Sequence, residues 1–501
     1  MTDFLVVETG IEYSSPDEGS HAGGLFSLSD GRYASFWIDQ RIDRLTLSQT
    51  QVSLQLRVFS GIWGDEGTTF EIAPPPFAAG WVKILDMFEL ADGALALVFE
   101  RNGTVWLHSY STEAAPLSGF AAGNAFWPGA DFAFSHAVPL SDGNILVVQA
   151  NAANPSVAGA QLWGEIYDAQ GARLAVPFLL AGRTEVAFQG AETIELADGG
   201  FLTVWAQYSN PADEFSPRVV MGSIVNANGT SRAVPFAISA VPTLDSTIPS
   251  VAQLRNGNIV VSWSQADPTN PEIRDRYDCL AQIIDPAGTA VGSNFSVSPW
   301  LAGMQTASEV SALADGNFLM TWSESQDDIV GQLFTPDGSY AGAAFLLTPG
   351  NTNQIWAHGA SVLSDGRVIL NWKQDTTGFQ DSLWLSEIDP RLTGVTLTGR
   401  AGSDNFCGTI YDDRLDGLAG NDTLYGWAGR DTVNGGSGED LVYGASGNDI
   451  VIGGNGRDSV YGGDGNDMLG GGEGNDQLEG GAGNDYLNGA NYDAVFDPMS
   501  A

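Results

Sequence analysis

The chain of 501 residues carries 61 acidic against 20 basic residues, a net charge of −41. Nucleic acid and anionic membrane surfaces are poor partners for such a body. Its length calls for at least two domains, and 43% apolar residues exclude a disordered chain.

The acidity is general, and only Lys83 and Lys373 are lysines, a balance suited to salt water, where repulsion is screened. The opening MTDFLVVETG has no basic region followed by an apolar one, so no Sec-type signal is expected. No apolar run approaches the length of a membrane span, so none is expected. Cys279 and Cys407 sit in no CxxC pair and beside no histidine, which gives no metal or redox motif; a disulfide between them stays open.

Residues 1–395 carry a long repeat whose anchor is Leu-x-Asp/Asn-Gly followed by an alternating run. It reads LSDGRYASFW from Leu28, LADGALALVF from Leu90, LSDGNILVVQ from Leu140 and LADGGFLTVW from Leu196. It returns as LRNGNIVVSW from Leu254, LADGNFLMTW from Leu313 and LSDGRVILNW from Leu363. Asp-Gly or Asn-Gly between two strands is a strong hairpin signal. Later turns follow at 168–171, 226–229, 285–288 and 335–338, and then a fourth strand. Four antiparallel strands repeated seven times, at spacings of 50 to 62 residues, read as a seven-bladed β-propeller. An open array of β-sandwiches is the alternative.

The ends of this region bear on closure. The seventh repeat has a third strand from Ser382 but no apolar fourth strand before Gly399, while FLVVETG from Phe4 is a strand without a hairpin. Pairing of Phe4–Glu8 with Ser382–Asp389 is therefore expected to close the ring.

Trp37, Trp205, Trp263, Trp322 and Trp372 share the end of the second strand, which suits packing between blades better than sugar stacking. Trp81, Trp106, Trp127, Trp163, Trp300, Trp356 and Trp384 lie elsewhere and are the better ligand candidates. The anchor residues Asp30, Asp92, Asp142, Asp198, Asp315 and Asp365 each precede glycine and read as turn residues. Asp and Gly are adjacent in these anchors, so the sialidase Asp-box is not matched. HExxH and GxSxG are absent, and His21, His108, His136 and His358 are scattered, so no catalytic constellation is visible.

From Gly399 to Asn488 the chain is an unbroken run of ten nine-residue units. The sixth position is always Asp: Asp404, Asp413, Asp422, Asp431, Asp440, Asp449, Asp458, Asp467, Asp476 and Asp485. Two residues on stands an apolar side chain, from Phe406 to Leu487, and glycine opens every unit. Glycines at the first, second and fourth positions are read as turning through positive φ, and the next residues as a short strand with its apolar side chain inward. Two units make one coil, so Asps eighteen apart stack in two ladders. Carboxylates roughly 4.8 Å apart repel by ~1 kcal/mol per pair in water and more in a less polar setting, so a cation is expected between them. Carboxylate and carbonyl oxygens on a glycine turn suit Ca²⁺ better than Mg²⁺. No histidine or second cysteine nearby suggests zinc. A Gly/Asp-rich disordered segment is the expected state without calcium.

These units, GGNGRDSVY, GGDGNDMLG, GGEGNDQLE and GGAGNDYLN among them, resemble the RTX, or haemolysin-type, calcium-binding repeats of proteins exported by Gram-negative bacteria. The resemblance implies a parallel β-roll with several structural calcium ions on the ten aspartates. GRAGSDNFC and GTIYDDRLD depart from the pattern, which puts sites on Asp404 and Asp413 in question. The long repeat more weakly resembles propeller-like modules beside such rolls. The reading is an extracellular protein with a propeller at 1–395, a roll at 399–488 and a tail at 489–501. A type I export apparatus is implied by the resemblance, though the tail is shorter than such signals usually are. The propeller's expected partner is a carbohydrate or cell-surface ligand. The alternative is a polysaccharide-acting enzyme with carboxylates in the propeller mouth.

Overall fold

The computed structural model describes residues 6–9, 21–28, 32–43, 48–59, 68–72, 82–90, 93–101, 104–110, 116–121, 134–151, 160–168, 172–184, 189–208, 217–239, 246–266, 277–297, 305–313, 315–324, 328–341, 344–348, 355–363, 365–376, 380–391, 394–399, 401–489 and 494–496. These form an all-β structure without a helix. Seven sheets of four antiparallel strands come first. Their innermost strands are His21–Ser27, Val82–Glu89, Phe134–Pro139, Gln189–Glu195, Ser246–Gln253, Gln305–Ala312 and Ile355–Val362. Each contacts the next and the last contacts the first, which makes the seven sheets the blades of a closed propeller.

Local chemistry sets each blade. At the anchors, Gly93, Gly143, Gly199, Gly257, Gly316 and Gly366 take φ between +79° and +94°, which glycine adopts without steric cost. The carboxylate or amide before the glycine accepts the N–H two residues on, as in Asn144 to Asp142 at 3.0 Å, Asn258 to Asn256 at 2.9 Å and Asn317 to Asp315 at 2.9 Å. The turn reading therefore holds at these anchors; Asp30 and Asp92 lie outside the described residues.

Between blades the tryptophans pack as expected. Trp205, Trp263 and Trp322 are fully buried and Trp372 nearly so. Trp205 packs with Leu146 and Leu162 of the preceding blade, and Trp263 with Leu202 and Val204. Trp322 shares a buried cluster with Val260 and Ile283, and Trp372 one with Leu319 and Leu333. Truncating any of them to alanine removes about 3–5 kcal/mol of packing. The side chains of Trp37, Trp81, Trp106, Trp127, Trp300, Trp356 and Trp384 lie outside the described residues, and Trp163 is half-buried.

The ring is latched by the N-terminal strand. Val6–Thr9 pairs antiparallel with Gln380–Ile388, Val6 opposite Ile388 and Thr9 opposite Leu385, and supplies the outermost strand of the seventh blade.

Beyond the propeller the chain winds into two six-stranded parallel sheets, built from alternate units and joined by turns. Partners are eighteen residues apart, as in Val433 opposite Val451 and Val442 opposite Val460. The apolar side chains from Phe406 to Leu478 form one buried column between the sheets, with Leu487 partly buried at its end. The first rung is Thr396–Thr398, ahead of Gly399, and Ala494–Phe496 adds a last one opposite Gln477–Glu479.

The glycine roles differ from the sequence reading. Only the second and fourth positions turn through positive φ, as at Gly454 (+118°) and Gly456 (+151°). Where the second position is not glycine, Leu418, Trp427 and Ala445 are held at φ of +71°, +79° and +80°. Such a conformation costs a side chain about 1–3 kcal/mol. At Gly454 a side chain would also meet Gly436 O at 2.0 Å.

Two outcomes are expected. Deleting residues 1–9 removes the latch strand and should lower the propeller's melting temperature by at least ~2 °C, with no change in the roll's response to calcium; an unmoved transition would mean that the strand closes nothing. Ala445→Gly should stabilise the calcium-loaded roll by about 1 kcal/mol and Gly454→Ala should weaken it by more, read from chemical denaturation followed at the roll.

Candidate metal centre

Along the roll the ten aspartates fall in two columns, at the point where each turn enters a strand. Asp404, Asp413, Asp422, Asp431, Asp440, Asp449, Asp458, Asp467 and Asp476 are buried, and Asp485 on the last coil is half-buried. Their backbone fixes their side chains. From Asp422 on, the Oδ1 of each accepts the N–H of the aspartate eighteen positions earlier: Asp404 donates to Asp422 at 2.7 Å, Asp413 to Asp431 at 2.8 Å, Asp422 to Asp440 at 2.8 Å. Asp431 to Asp449, Asp440 to Asp458, Asp449 to Asp467, Asp458 to Asp476 and Asp467 to Asp485 follow at 2.9 Å.

The second oxygen is left over. In Asp422, Asp431, Asp440, Asp449, Asp458, Asp467 and Asp485, Oδ2 is buried with no hydrogen-bond partner. An unpaired buried charge is among the most expensive groups in a protein.

Each Oδ2 faces the glycine that opens its own unit. A methyl group on Gly435 would lie 2.6 Å from both Asp440 Oδ2 and Gly453 O, and one on Gly453 would lie 2.6 Å from Asp458 Oδ2 and 2.8 Å from Gly471 O. Gly426 and Gly444 repeat this on the other column, against Asp431 and Asp449 and the carbonyls of Gly444 and Gly462. The opening glycine is thus required by space rather than by φ. It leaves a gap lined by a carboxylate oxygen from one coil and a carbonyl oxygen from the next. Among the described residues no three His, Cys, Asp or Glu side chains converge, so an ion here must draw on backbone carbonyls. Hard oxygen donors of this kind, on a turn free to adjust, fit calcium.

Asp413 differs, as the irregular unit suggested. Its Oδ2 accepts Thr409 N at 2.5 Å and Thr409 Oγ1 at 3.1 Å, and its Oδ1 accepts Val395 N at 2.6 Å. Both its oxygens are satisfied by the chain. Sequence reading missed Thr409; its signal was a hydroxyl in place of the second glycine.

Burial first, and neighbouring carboxylates after it, push Asp422 up to about 7, Asp431 to about 8, and Asp458 and Asp467 to about 6. Asp440 and Asp449 shift upward by burial as well.

In the propeller, one position on the innermost strand, four residues before the anchor leucine, was also missed. It holds His136, Glu192, Ser250 and Glu309 in consecutive blades, and three of these reach the following blade. Glu192 Oε2 accepts Val251 N at 3.1 Å, Ser250 Oγ accepts Val310 N at 3.3 Å and Glu309 Oε2 accepts Ala360 N at 2.8 Å. Burial pushes Glu192 up to about 8, with Glu309 adding to it, and Glu309 to about 7, while it lowers His136 to about 4. The signal was positional, visible only when the repeats are superposed.

Residues 408–442, 443–478 and 461–491 match the model of the RTX calcium-binding nonapeptide repeat, four copies. No curated protein matches the chain. Among solved structures, the polysaccharide lyase Uly1 is similar at 9% identity and TM-score 0.52, over 75% of this chain and 91% of that one. A protein of unknown function from Dyadobacter fermentans is similar at 13% identity and TM-score 0.44, over 77% and 99%. An α-L-arabinanase from Penicillium chrysogenum follows at 12% identity and TM-score 0.40, over 63% and 96%. At these identities the likeness is one of fold.

The buried carboxyls set the pH response of the metal-free roll. A carboxyl whose folded pKa lies above its unfolded value near 3.8 stabilises most below that value and loses the contribution as pH rises through the folded one. In chelator, roll peptides should be protected from hydrogen exchange at pH 5 and lose protection between about pH 6 and 8; equal protection at both ends would contradict the burial of these charges. The stretch 408–491 is an array of RTX calcium-binding nonapeptide repeats wound as a parallel β-solenoid.

Proposed function

We propose that this is a secreted protein whose roll folds on calcium outside the cell and whose propeller serves as a binding module for a carbohydrate or cell-surface ligand. The carrying observation is the two columns of buried Oδ2 atoms without partners, those of Asp422, Asp431, Asp440, Asp449, Asp458 and Asp467 each opposite a glycine carbonyl of the next coil. Calcium takes oxygen donors of this kind, and extracellular modules bind it at roughly 10⁻⁴–10⁻³ M. Where calcium is scarce the unpaired charges keep the roll open, which leaves an export-competent chain; where it is abundant the roll closes.

Binding rather than chemistry is inferred for the propeller because Glu192 and Glu309, buried carboxyls among its described residues, are committed. Glu192 and Glu309 each spend an oxygen on the backbone of the next blade. Carboxyls that staple blades are poorly placed to approach a substrate. Among the described residues, no helix is long and apolar enough to cross a membrane.

The reading is tested by calorimetric titration of the full chain. Calcium should bind at several sites, and magnesium should not replace it. Asp458→Asn should weaken calcium binding by roughly tenfold at more than one ion, because the lost charge serves a continuous column. Asp413→Asn, whose oxygens the chain already satisfies, should change the titration little. Equal effects of the two substitutions, or equal binding of magnesium, would sink the assignment.

A further inference from the structure

The column of Asp413, Asp431, Asp449, Asp467 and Asp485 begins at the propeller, and its first rung carries no aspartate. Residues 394–398 stand in register with the repeat: Thr396, Leu397 and Thr398 pair with Arg414, Leu415 and Asp416. Val395 therefore takes the place that aspartate holds in every later unit. In those units the carbonyl of the opening glycine faces the carboxylate of the coil before, as Gly444 O faces Asp431 and Gly462 O faces Asp449. Gly408 opens the next unit, and its carbonyl has no such carboxylate to face.

A guanidinium stands there instead. Arg391 Nη2 donates to Gly408 O, and Nη1 donates to Cys407 O at 2.8 Å and to Asp365 O at 2.9 Å. Asp389 holds the same group through Nε at 2.7 Å and Nη2 at 2.8 Å. Beside it Asp365, paired with Arg367 at 2.7 Å and fully buried, accepts Cys407 N at 3.1 Å. A protein-borne cation, flanked by a carboxylate and facing backbone carbonyls, thus occupies the start of the column. The following aspartate, Asp413, is satisfied by Thr409 and Val395.

We infer that Arg391 is a fixed cation that closes the calcium column at the propeller, so that the coil from Gly394 to Asp413 folds without metal and seeds the calcium-driven winding of the rest. This rests on the calcium reading of the roll. It goes beyond that reading by making the propeller the template and winding directional, from Asp413 outward, with no ion at Asp413. Charge-assisted hydrogen bonds to carbonyls from a pre-oriented fork hold such a seed better than mobile side chains do.

The test uses the full chain. In chelator at about pH 8, above the range in which the metal-free roll loses protection, peptides within 394–413 should be protected from hydrogen exchange while those within 435–488 exchange freely. Arg391→Met should abolish the first protection and raise the calcium concentration at half-folding by roughly tenfold, with the number of ions at saturation unchanged. Asp413→Asn, which leaves Arg391 in place, should leave the number of ions unchanged. Three results would overturn the inference: free exchange within 394–413 in the unsubstituted protein, an unmoved midpoint in Arg391→Met, or the loss of an ion in Asp413→Asn. Failure of the calcium reading is distinguishable, since the unsubstituted protein would then bind no calcium.

Discussion

A buried carboxylate with one oxygen bound to the backbone and the other facing a carbonyl is the interaction on which the roll depends. It recurs at every regular coil, in two columns, and it is unfavourable until a cation arrives. The apolar column between the sheets supplies one Val or Leu per nine residues, each worth about 1.5–3 kcal/mol when buried. A buried charge left unpaired costs several kcal/mol in the same nine residues. The second quantity wins, so the roll's stability follows its counter-ion and not its core. The rest of the unit answers to this constraint: the opening glycine makes room beside Oδ2, the two turning glycines return the chain, and three residues of strand are enough to carry one inward side chain.

The propeller meets the same problem with its own atoms. Glu192, Ser250 and Glu309 receive backbone N–H groups from the next blade, and Asp365 receives Arg367. Blade contacts are further fixed by fully buried tryptophans. The described carboxylates of the propeller thus find donors in the protein, while those of the roll leave an oxygen over. The junction of the two, around Arg391, is where a protein cation meets carbonyls of the kind that face carboxylates farther along the roll.

Periodicity made much of this legible. The nine-residue spacing of Asp404 to Asp485 gave the two columns, the Leu-x-Asp-Gly anchors gave the hairpins, and the missing outer strand of the last blade pointed to the N-terminal strand now seen at Val6–Thr9. What remained hidden depends on neighbours far apart in the chain. That Glu192 reaches Val251 and Arg391 reaches Gly408 follows from how blades and coils stack, which no local pattern encodes. The role of the opening glycine was misread because φ and crowding favour the same residue, and only coordinates separate them. The last rung was also hidden, because Ala494 pairs with Gln477 one residue short of the eighteen-residue step.

The most direct measurement of the central claim is small-angle X-ray scattering of the whole chain in chelator, in calcium and in magnesium. The account predicts a propeller trailing an extended segment in chelator, a sharp fall in the radius of gyration with calcium, and little change with magnesium. A chain equally compact in all three would mean that the buried carboxylates are stabilised without a calcium ion, and the charge argument for the roll would be wrong.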